Sequence, residues 1–284
     1  MFRTRFAPSP TGYLHEGHAL SANEAFSAAL EADGDCLLRI EDIDQTRCRP
    51  EFETAIFEDL HWLGFEWPAP VRRQSDHFTE YQAALEQLTG LGLTYRCFLT
   101  RKALEAELEA RGIGPSPAGD RPYVRRNDDV SEDEVLSRVA AGEPFAWRLS
   151  LAACRDFLGD EFSKLSFIEE GDGENISFGE TMAHPEWLGD VVLARKDSPT
   201  SYHLAVTHDD HLQGVSHVVR GADLYHATHM HVLLQRLMNW SKPVYRHHKL
   251  LMGEDGRKLS KAHRSKSLRE LRKEGVEPSE LLKR

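Results

Sequence analysis

The sequence predicts an α/β fold with a parallel β-sheet, interrupted midway by an inserted α+β subdomain. Three observations carry that reading. Strand-like and helix-like segments alternate through the first 63 residues, a charged stretch rich in Gly and Pro breaks the rhythm between residues 105 and 133, and the alternation resumes at residue 189. Strand, helix and strand at this spacing form a right-handed βαβ unit, whose strands lie parallel in one sheet.

The elements follow in order. Arg3 to Ala7 reads as a short strand, closed by the breaker run Pro8-Ser9-Pro10-Thr11-Gly12. Glu16 to Glu31, rich in Ala, Leu and Glu, reads as an amphipathic helix, and Asp33-Gly34-Asp35 punctuates after it. Cys36 to Ile40 is an apolar strand ending on Glu41-Asp42, and Pro50 to Leu63 is a helix with proline in its first turn. Gly112, Gly114, Pro115, Pro117, Gly119 and Pro122 then mark loops of an inserted subdomain, placed at 97–184. Beyond it come a strand at Gly189–Arg195, a helix at Ser201–His211, a strand at Val215–Val219 and a helix at Ala222–Met238. The prediction is one discontinuous catalytic domain, 1–96 with 185–262, followed by a short basic tail at 263–284. No internal repeat or low-complexity tract is visible.

Composition narrows the class. Hydrophobic residues make up 40% and charged residues 29% of 284, an ordinary globular balance. No apolar run approaches the roughly 20 residues that span a bilayer, and no apolar stretch follows Met1-Phe2-Arg3-Thr4-Arg5, so neither a membrane partner nor a signal peptide is predicted. Cys36, Cys48, Cys97 and Cys154 lie far apart with no CxxC pair, which predicts reduced thiols and a cytoplasmic location. The net charge of −11 is uneven: residues 241–284 hold thirteen Lys and Arg against six Asp and Glu, a local +7, and the first 240 residues carry −18. A basic end suits a polyanion, though from composition alone a solvated, charged C-terminal helix is the better explanation.

The sharpest chemical signal is Leu14-His15-Glu16-Gly17-His18, set after a strand and a Pro/Gly turn, where a helix begins. Histidines at i and i+3 share a face. Here they stand beside the free N–H groups and positive end of the helix, a natural place for phosphate. Gly17 leaves room for close backbone approach. Imidazoles so placed can hold an α-phosphate while a carboxylate attacks it and pyrophosphate leaves. A pair of surface or metal-binding histidines is the plain alternative, and alone the pattern is weak. Near the other end stands Gly256-Arg257-Lys258-Leu259-Ser260-Lys261, a Gly-led loop whose lysines can neutralise a breaking triphosphate.

Together the two elements, about 240 residues apart with βα units between, resemble the His-Ile-Gly-His and Lys-Met-Ser-Lys-Ser signatures of class I aminoacyl-tRNA synthetases. Arg5-Phe6-Ala7-Pro8-Ser9-Pro10-Thr11-Gly12 and Arg39-Ile40-Glu41-Asp42-Ile43-Asp44 are similar to segments of the glutamyl and glutaminyl enzymes. So are Ser201-Tyr202-His203-Leu204-Ala205 with Asp209-Asp210, and Val219-Arg220-Gly221-Ala222-Asp223-Leu224. The similarity covers the chain apart from parts of the insertion, and implies a Rossmann-like nucleotide-binding sheet. It also implies His15, His18, Lys258 and Lys261 as catalytic residues, with His15, Gly17, His18 and Lys261 on ATP. Arg5, Ala7, Ser9, Glu41, Tyr202 and Arg220 would contact L-glutamate. The chemistry agrees: Arg5 and Arg220 can offer bidentate forks to a carboxylate, and Glu41 can accept an ammonium. Each could instead be structural, but six fitting positions make that a poor joint explanation.

Only 23 residues follow Lys261, too few for an anticodon-binding domain, so the resemblance narrows to the family of truncated glutamyl-queuosine tRNA(Asp) synthetases. Val206, where full-length enzymes usually carry Asn, points the same way. The resemblance implies tRNA-independent activation of glutamate with ATP and Mg²⁺. Transfer would follow to queuosine at the wobble position of tRNA(Asp), by a monomer. Basic docking patches are expected at Lys258, Lys261, Arg264, Lys266, Arg269, Arg272 and Lys273, and at Arg125-Arg126. One departure concerns zinc, which many members hold through Cys-x-Cys, a Tyr and a further Cys. Tyr95-Arg96-Cys97-Phe98-Leu99 keeps one cysteine, so no zinc is expected. Two alternatives stay open: a catalytic fragment serving another acceptor, and a non-catalytic RNA-binding paralogue.

Overall fold

The computed structural model describes residues 1–126, 131–252 and 266–282. In chain order the elements are β1 (Arg3–Phe6), α1 (Glu16–Glu31), β2 (Asp35–Ile40), α2 (Pro50–Trp62), β3 (Arg72–Arg73), α3 (Phe78–Gly90) and β4 (Thr94–Cys97). There follow α4 (Arg101–Ala110), α5 (Glu132–Ala140), β5 (Ala146–Leu149), α6 (Leu151–Leu158), β6 (Ser166–Glu169), β7 (Gly179–Met182) and β8 (Val192–Arg195). Last come α7 (Tyr202–Leu212), β9 (His217–Gly221), α8 (Tyr225–Met238), β10 (Val244–His248), α9 (Leu268–Lys273) and α10 (Pro278–Leu282).

β1, β2 and β3 pair in parallel, with Arg5 opposite Leu37 and Ile40 opposite Arg73. β9 and β10 also pair in parallel, in a sheet ordered β7-β6-β10-β9. The two sheets meet edge to edge, because Ser216 donates its N–H to the Arg3 carbonyl (2.9 Å) and accepts the Arg3 N–H on Oγ (2.8 Å). From this seam the chain runs outward through β2 and β3 on one side and β10 on the other. That reversal is a topological switch point, and crevices for ligands open there at the carboxyl ends of the strands.

α1 lies close to the seam because its inward face is alanine: Ala19, Ala22, Ala25, Ala28 and Ala29 are all buried. α8 is buried almost all round and forms the centre of the larger core with Phe167, Leu193, Leu204 and Tyr245. The predicted helix at 222–238 divides here into a short 3₁₀ turn, Ala222–Leu224, and α8 proper.

Strand pairing crosses the boundaries drawn from sequence. β6 and β7, inside 97–184, join β10 on the parallel side, whereas β8 leaves it and pairs antiparallel with β5 in a sheet ordered β4-β5-β8. Hydrophobic patterning marks a segment as a strand without naming its partner. Asp190, buried just before β8, ties this second sheet together. It accepts hydrogen bonds from the Tyr95 hydroxyl (2.8 Å) and the N–H groups of Arg125 (2.8 Å) and Leu151 (2.9 Å). No helix among the described residues is long and apolar enough to cross a membrane.

Candidate active site

A cavity of about 420 Å³ opens at the switch point. Arg5, Ala7 and Ser9 reach it from β1 and the turn after it, His15, Gly17 and His18 from the start of α1, and Glu41 from the end of β2. Tyr202, in the first turn of α7, and Arg220, in β9, close the far side. Every site residue proposed from sequence that falls among the described residues therefore lines one cavity. Lys258 and Lys261 lie outside the described residues.

The histidine pair is built into the helix start. His15 is the N-cap of α1, with extended backbone (φ −131°, ψ 177°). Its Nδ1 accepts the Gly17 N–H (3.1 Å), and Nδ1 of His18 accepts the His15 N–H (3.1 Å). This reciprocal capping box satisfies two orphan donors of the helix with imidazoles in place of the usual hydroxyl and carboxyl. A nitrogen that accepts carries no proton, so each neutral ring bears its proton on Nε2 and presents a donor there. The rings stand 3.9 Å apart between centroids. Gly17 has a local reason as well: a Cβ would sit 3.0 Å from Cε1 of His15.

Behind Glu41 lies a buried ion network. Asp210 accepts from Arg5 Nε (2.9 Å) and Arg39 NH1 (2.9 Å), and Arg39 NH2 donates to Glu41 (3.1 Å). Asp209, next in sequence, accepts from Arg72 Nε (2.9 Å), Gln74 (3.0 Å) and the Tyr81 hydroxyl (2.8 Å). The fork of Arg5, offered from sequence as a free carboxylate clamp, is thus already engaged by Asp210, its NH2 at 3.4 Å. Burial raises the Glu41 carboxyl above the ordinary range, while the Arg39 and Arg5 charges pull it back down.

Arg220 differs. It is 5% exposed, and its donors go to neutral groups: Nε to His247 Nε2 (3.0 Å), NH1 to the Tyr202 hydroxyl (3.1 Å) and NH2 to Thr228 Oγ1 (2.7 Å). Its guanidinium lies 5.6 Å from the centroid of the Tyr245 ring. Among the described residues no carboxylate forms an ion pair with it. A buried cation without a counter-ion is costly, and an anionic ligand group relieves that cost.

The chain before residue 253 lines this cavity, and the chain after residue 265 meets His15. Leu250 and Leu251 line the cavity, and Ser267 forms an isolated antiparallel bridge with His15, Leu268 donating its N–H to the Leu14 carbonyl (2.8 Å). Of the predicted basic patches, Lys266 is paired with Glu274 (2.7 Å), Arg272 with Glu58 (3.3 Å), and Arg269 with the Tyr13 ring and hydroxyl (3.0 Å). Arg125 stacks over Tyr95 at 4.9 Å. Arg264 lies outside the described residues. Cys97 is buried with Tyr95, Leu108 and Tyr123. Among the described residues no cluster of three or more His, Cys, Asp or Glu is placed to hold a metal.

The sequence reading missed Asp210, Thr228 and His247 as partners of the site. Asp209-Asp210 carried a signal, being an adjacent acidic pair in a helix with no other acidic residue. His247 carried none, since it meets Arg220 only through the β9–β10 register.

Comparison with known proteins identifies the family. The model of the family "tRNA synthetases class I (E and Q), catalytic domain" matches residues 1–284. A glutamyl-Q tRNA(Asp) synthetase from Rhodobacter capsulatus is 41% identical over 98% of this chain and 97% of its own length. A glutamate–tRNA ligase from Coprothermobacter proteolyticus is 34% identical over 98% of this chain but 56% of its own. Among solved structures, a glutamate tRNA ligase from Elizabethkingia meningosepticum, crystallised in complex with its amino acid, superposes with a TM-score of 0.71 at 30% identity. The match covers 92% of this chain and 52% of that one. The chain spans about half the length of these full ligases.

Proposed function

Because the chain belongs to the catalytic-domain family of the class I tRNA synthetases for Glu and Gln, we propose that it activates L-glutamate with ATP, without tRNA, and transfers it to queuosine at the wobble position of tRNA(Asp). The observation that carries the amino-acid assignment is the buried Arg220 beside Tyr202, which forms no ion pair with a carboxylate among the described residues. The acceptor assignment rests on the near full-length likeness to a glutamyl-Q tRNA(Asp) synthetase.

Each residue has a defined task. Arg220 takes the side-chain carboxylate of glutamate. Glu41, whose second oxygen is not engaged by Arg39, accepts from the α-ammonium at the cavity wall. Arg5, held by Asp210, keeps positive potential on this wall and so favours an ionised Glu41. Ala7 and Ser9 shape the floor. An α-carboxylate oxygen then bonds to the α-phosphorus as the bond to the bridging oxygen breaks, and pyrophosphate leaves with the electron pair. The Nε2–H donors of His15 and His18 hold the α-phosphate oxygens, and Gly17 lets the nucleotide come close to the helix N-terminus. Lys258 and Lys261 are assigned to the departing pyrophosphate. Mg²⁺ enters with the triphosphate. In the second step a hydroxyl of the queuosine base attacks the carbonyl carbon, AMP departs, and the hydroxyl proton goes to solvent or phosphate.

Pyrophosphate exchange tests the first half. Wild-type protein should exchange labelled pyrophosphate into ATP with glutamate alone, and more slowly with glutamine or aspartate. Exchange that appears only after adding tRNA would contradict tRNA-independent activation.

A further inference from the structure

Arg220 bonds to His247, and what stands behind His247 explains how it is held. The β9–β10 register sets the two residues side by side. Arg220 Nε always donates, so the Nε2 of His247 that receives it at 3.0 Å is an acceptor, and the ring proton resides on Nδ1. That Nδ1 points at Glu169 Oε2, 2.5 Å away. The other oxygen, Oε1, accepts the N–H groups of Gly171 (2.7 Å) and His247 itself (2.9 Å). Glu169 and His247 are both wholly buried. The chain after β6 wraps the pair: Gly173 donates to the His247 carbonyl (2.9 Å), and a Cβ on Gly171 would run into the His247 backbone.

We infer that Glu169, acting through His247, is the positioning residue that orients Arg220 for the glutamate side chain. Thr228 assists from α8, its hydroxyl lying between Arg220 NH2 and His247 Nε2 (2.7 and 3.3 Å). With Nε fixed from behind, NH1 is turned to Tyr202 and the cavity. Burial, with the Arg220 charge adding to it and Glu169 opposing, pushes His247 down to about 4, so the ring stays neutral and can accept. The carboxylate is required for a specific reason. A glutamine amide nitrogen facing Nδ1 would donate to it, move the ring proton to Nε2, and set an N–H against Arg220 Nε–H.

This inference rests on the glutamate-activating function proposed above, and two measurements separate their fates. The first compares wild type with Glu169→Gln in glutamate-driven pyrophosphate exchange. The expected result is a glutamate KM raised roughly tenfold or more and a comparable loss of discrimination against glutamine, with the ATP KM unchanged. A residue that merely pinned β6 to β10 would lower the melting temperature and leave discrimination intact, and that outcome overturns the role. The second needs no activity and no variant that folds: ¹⁵N NMR of His247 in the wild-type protein should show a protonated Nδ1 and a bare Nε2. The opposite tautomer, or an imidazolium at neutral pH, also overturns it. Wild-type protein that shows no exchange with glutamate would instead refute the function, and with it the substrate assigned to Arg220, whatever the His247 tautomer.

Discussion

Arg220 and Glu41 pose the same electrostatic problem with opposite sign, and the protein solves it differently for each. Glu41 shares an ion network in which Arg39 and Arg5 face Glu41 and Asp210, so its charge is matched before any ligand arrives. Arg220 meets hydroxyls and an imidazole, with no carboxylate paired to it among the described residues, and in the proposed function the ligand brings its counter-ion. Discrimination between glutamate and glutamine should therefore depend on Arg220 first. Arg220→Leu should forfeit about 3 kcal/mol of selectivity or more, the scale of removing one partner from a desolvated pair. Competing exchange rates for the two amino acids measure this directly, and unchanged selectivity would take Arg220 out of the subsite. Sequence carried this residue through its Val-Arg-Gly-Ala-Asp context, but not its lack of a carboxylate partner among the described residues. That lack depends on which side chains of α7, α8 and β10 happen to surround it.

At the scale of elements, α1 begins with a cap that is also the proposed phosphate site. Asparagine is a good N-cap and can accept the Gly17 N–H as His15 does, but it brings no Nε2–H to the cavity. His15→Asn should keep the melting temperature near wild type while lowering kcat on the order of 100-fold, as loss of one preorganised donor does elsewhere. His15→Ala should lose activity and about 1 kcal/mol of stability together. Equal activity in His15→Asn would leave the histidine a structural cap alone. The contact of α2 with α9 makes a second prediction. Asp59 in α2 is buried with neither oxygen hydrogen-bonded, and burial raises it to about 6. Folded Asp59 keeps its proton up to about pH 6, whereas the unfolded chain releases it near 3.8. Folding binds a proton across that window, so stability falls as pH rises through it and stays lowered above it. Asp59→Asn should raise the melting temperature at pH 7.5, by up to about 3 kcal/mol of unfolding free energy. The gain should vanish near pH 4, and melting curves that coincide at pH 7.5 would contradict it. The helix α1 was legible to its ends because a Pro/Gly turn and Asp33-Gly34-Asp35 fence it. The placement of Asp59 was not, since one acid in an amphipathic helix reads as solvated until α9 covers it.

Across the whole molecule, the sequence pattern was read correctly where local order determines structure and incorrectly where distant pairing does. The βαβ opening and the return at α7–β9–α8 follow from periodicity and breakers. The assignment of β8 to the antiparallel sheet, and of β6 and β7 to the parallel one, depends on pairings across tens of residues. The residues of the candidate cavity were legible because they sit at strand ends and helix starts, where chain punctuation and chemistry coincide, whereas Lys258 and Lys261 lie outside the described residues. Charge follows the same division: the acidic body would repel a polynucleotide, and two basic side chains of the tail, Lys266 and Arg272, are already paired with acids of this chain. Docking of RNA should therefore weaken with salt while remaining local. The measurement that tests the central claim most directly is transfer of labelled glutamate to an isolated anticodon stem-loop of tRNA(Asp). The account predicts transfer when the loop carries queuosine and none when it carries guanosine. Label found instead on the 3′ end of whole tRNA, and lost on trimming the CCA terminus, would contradict it.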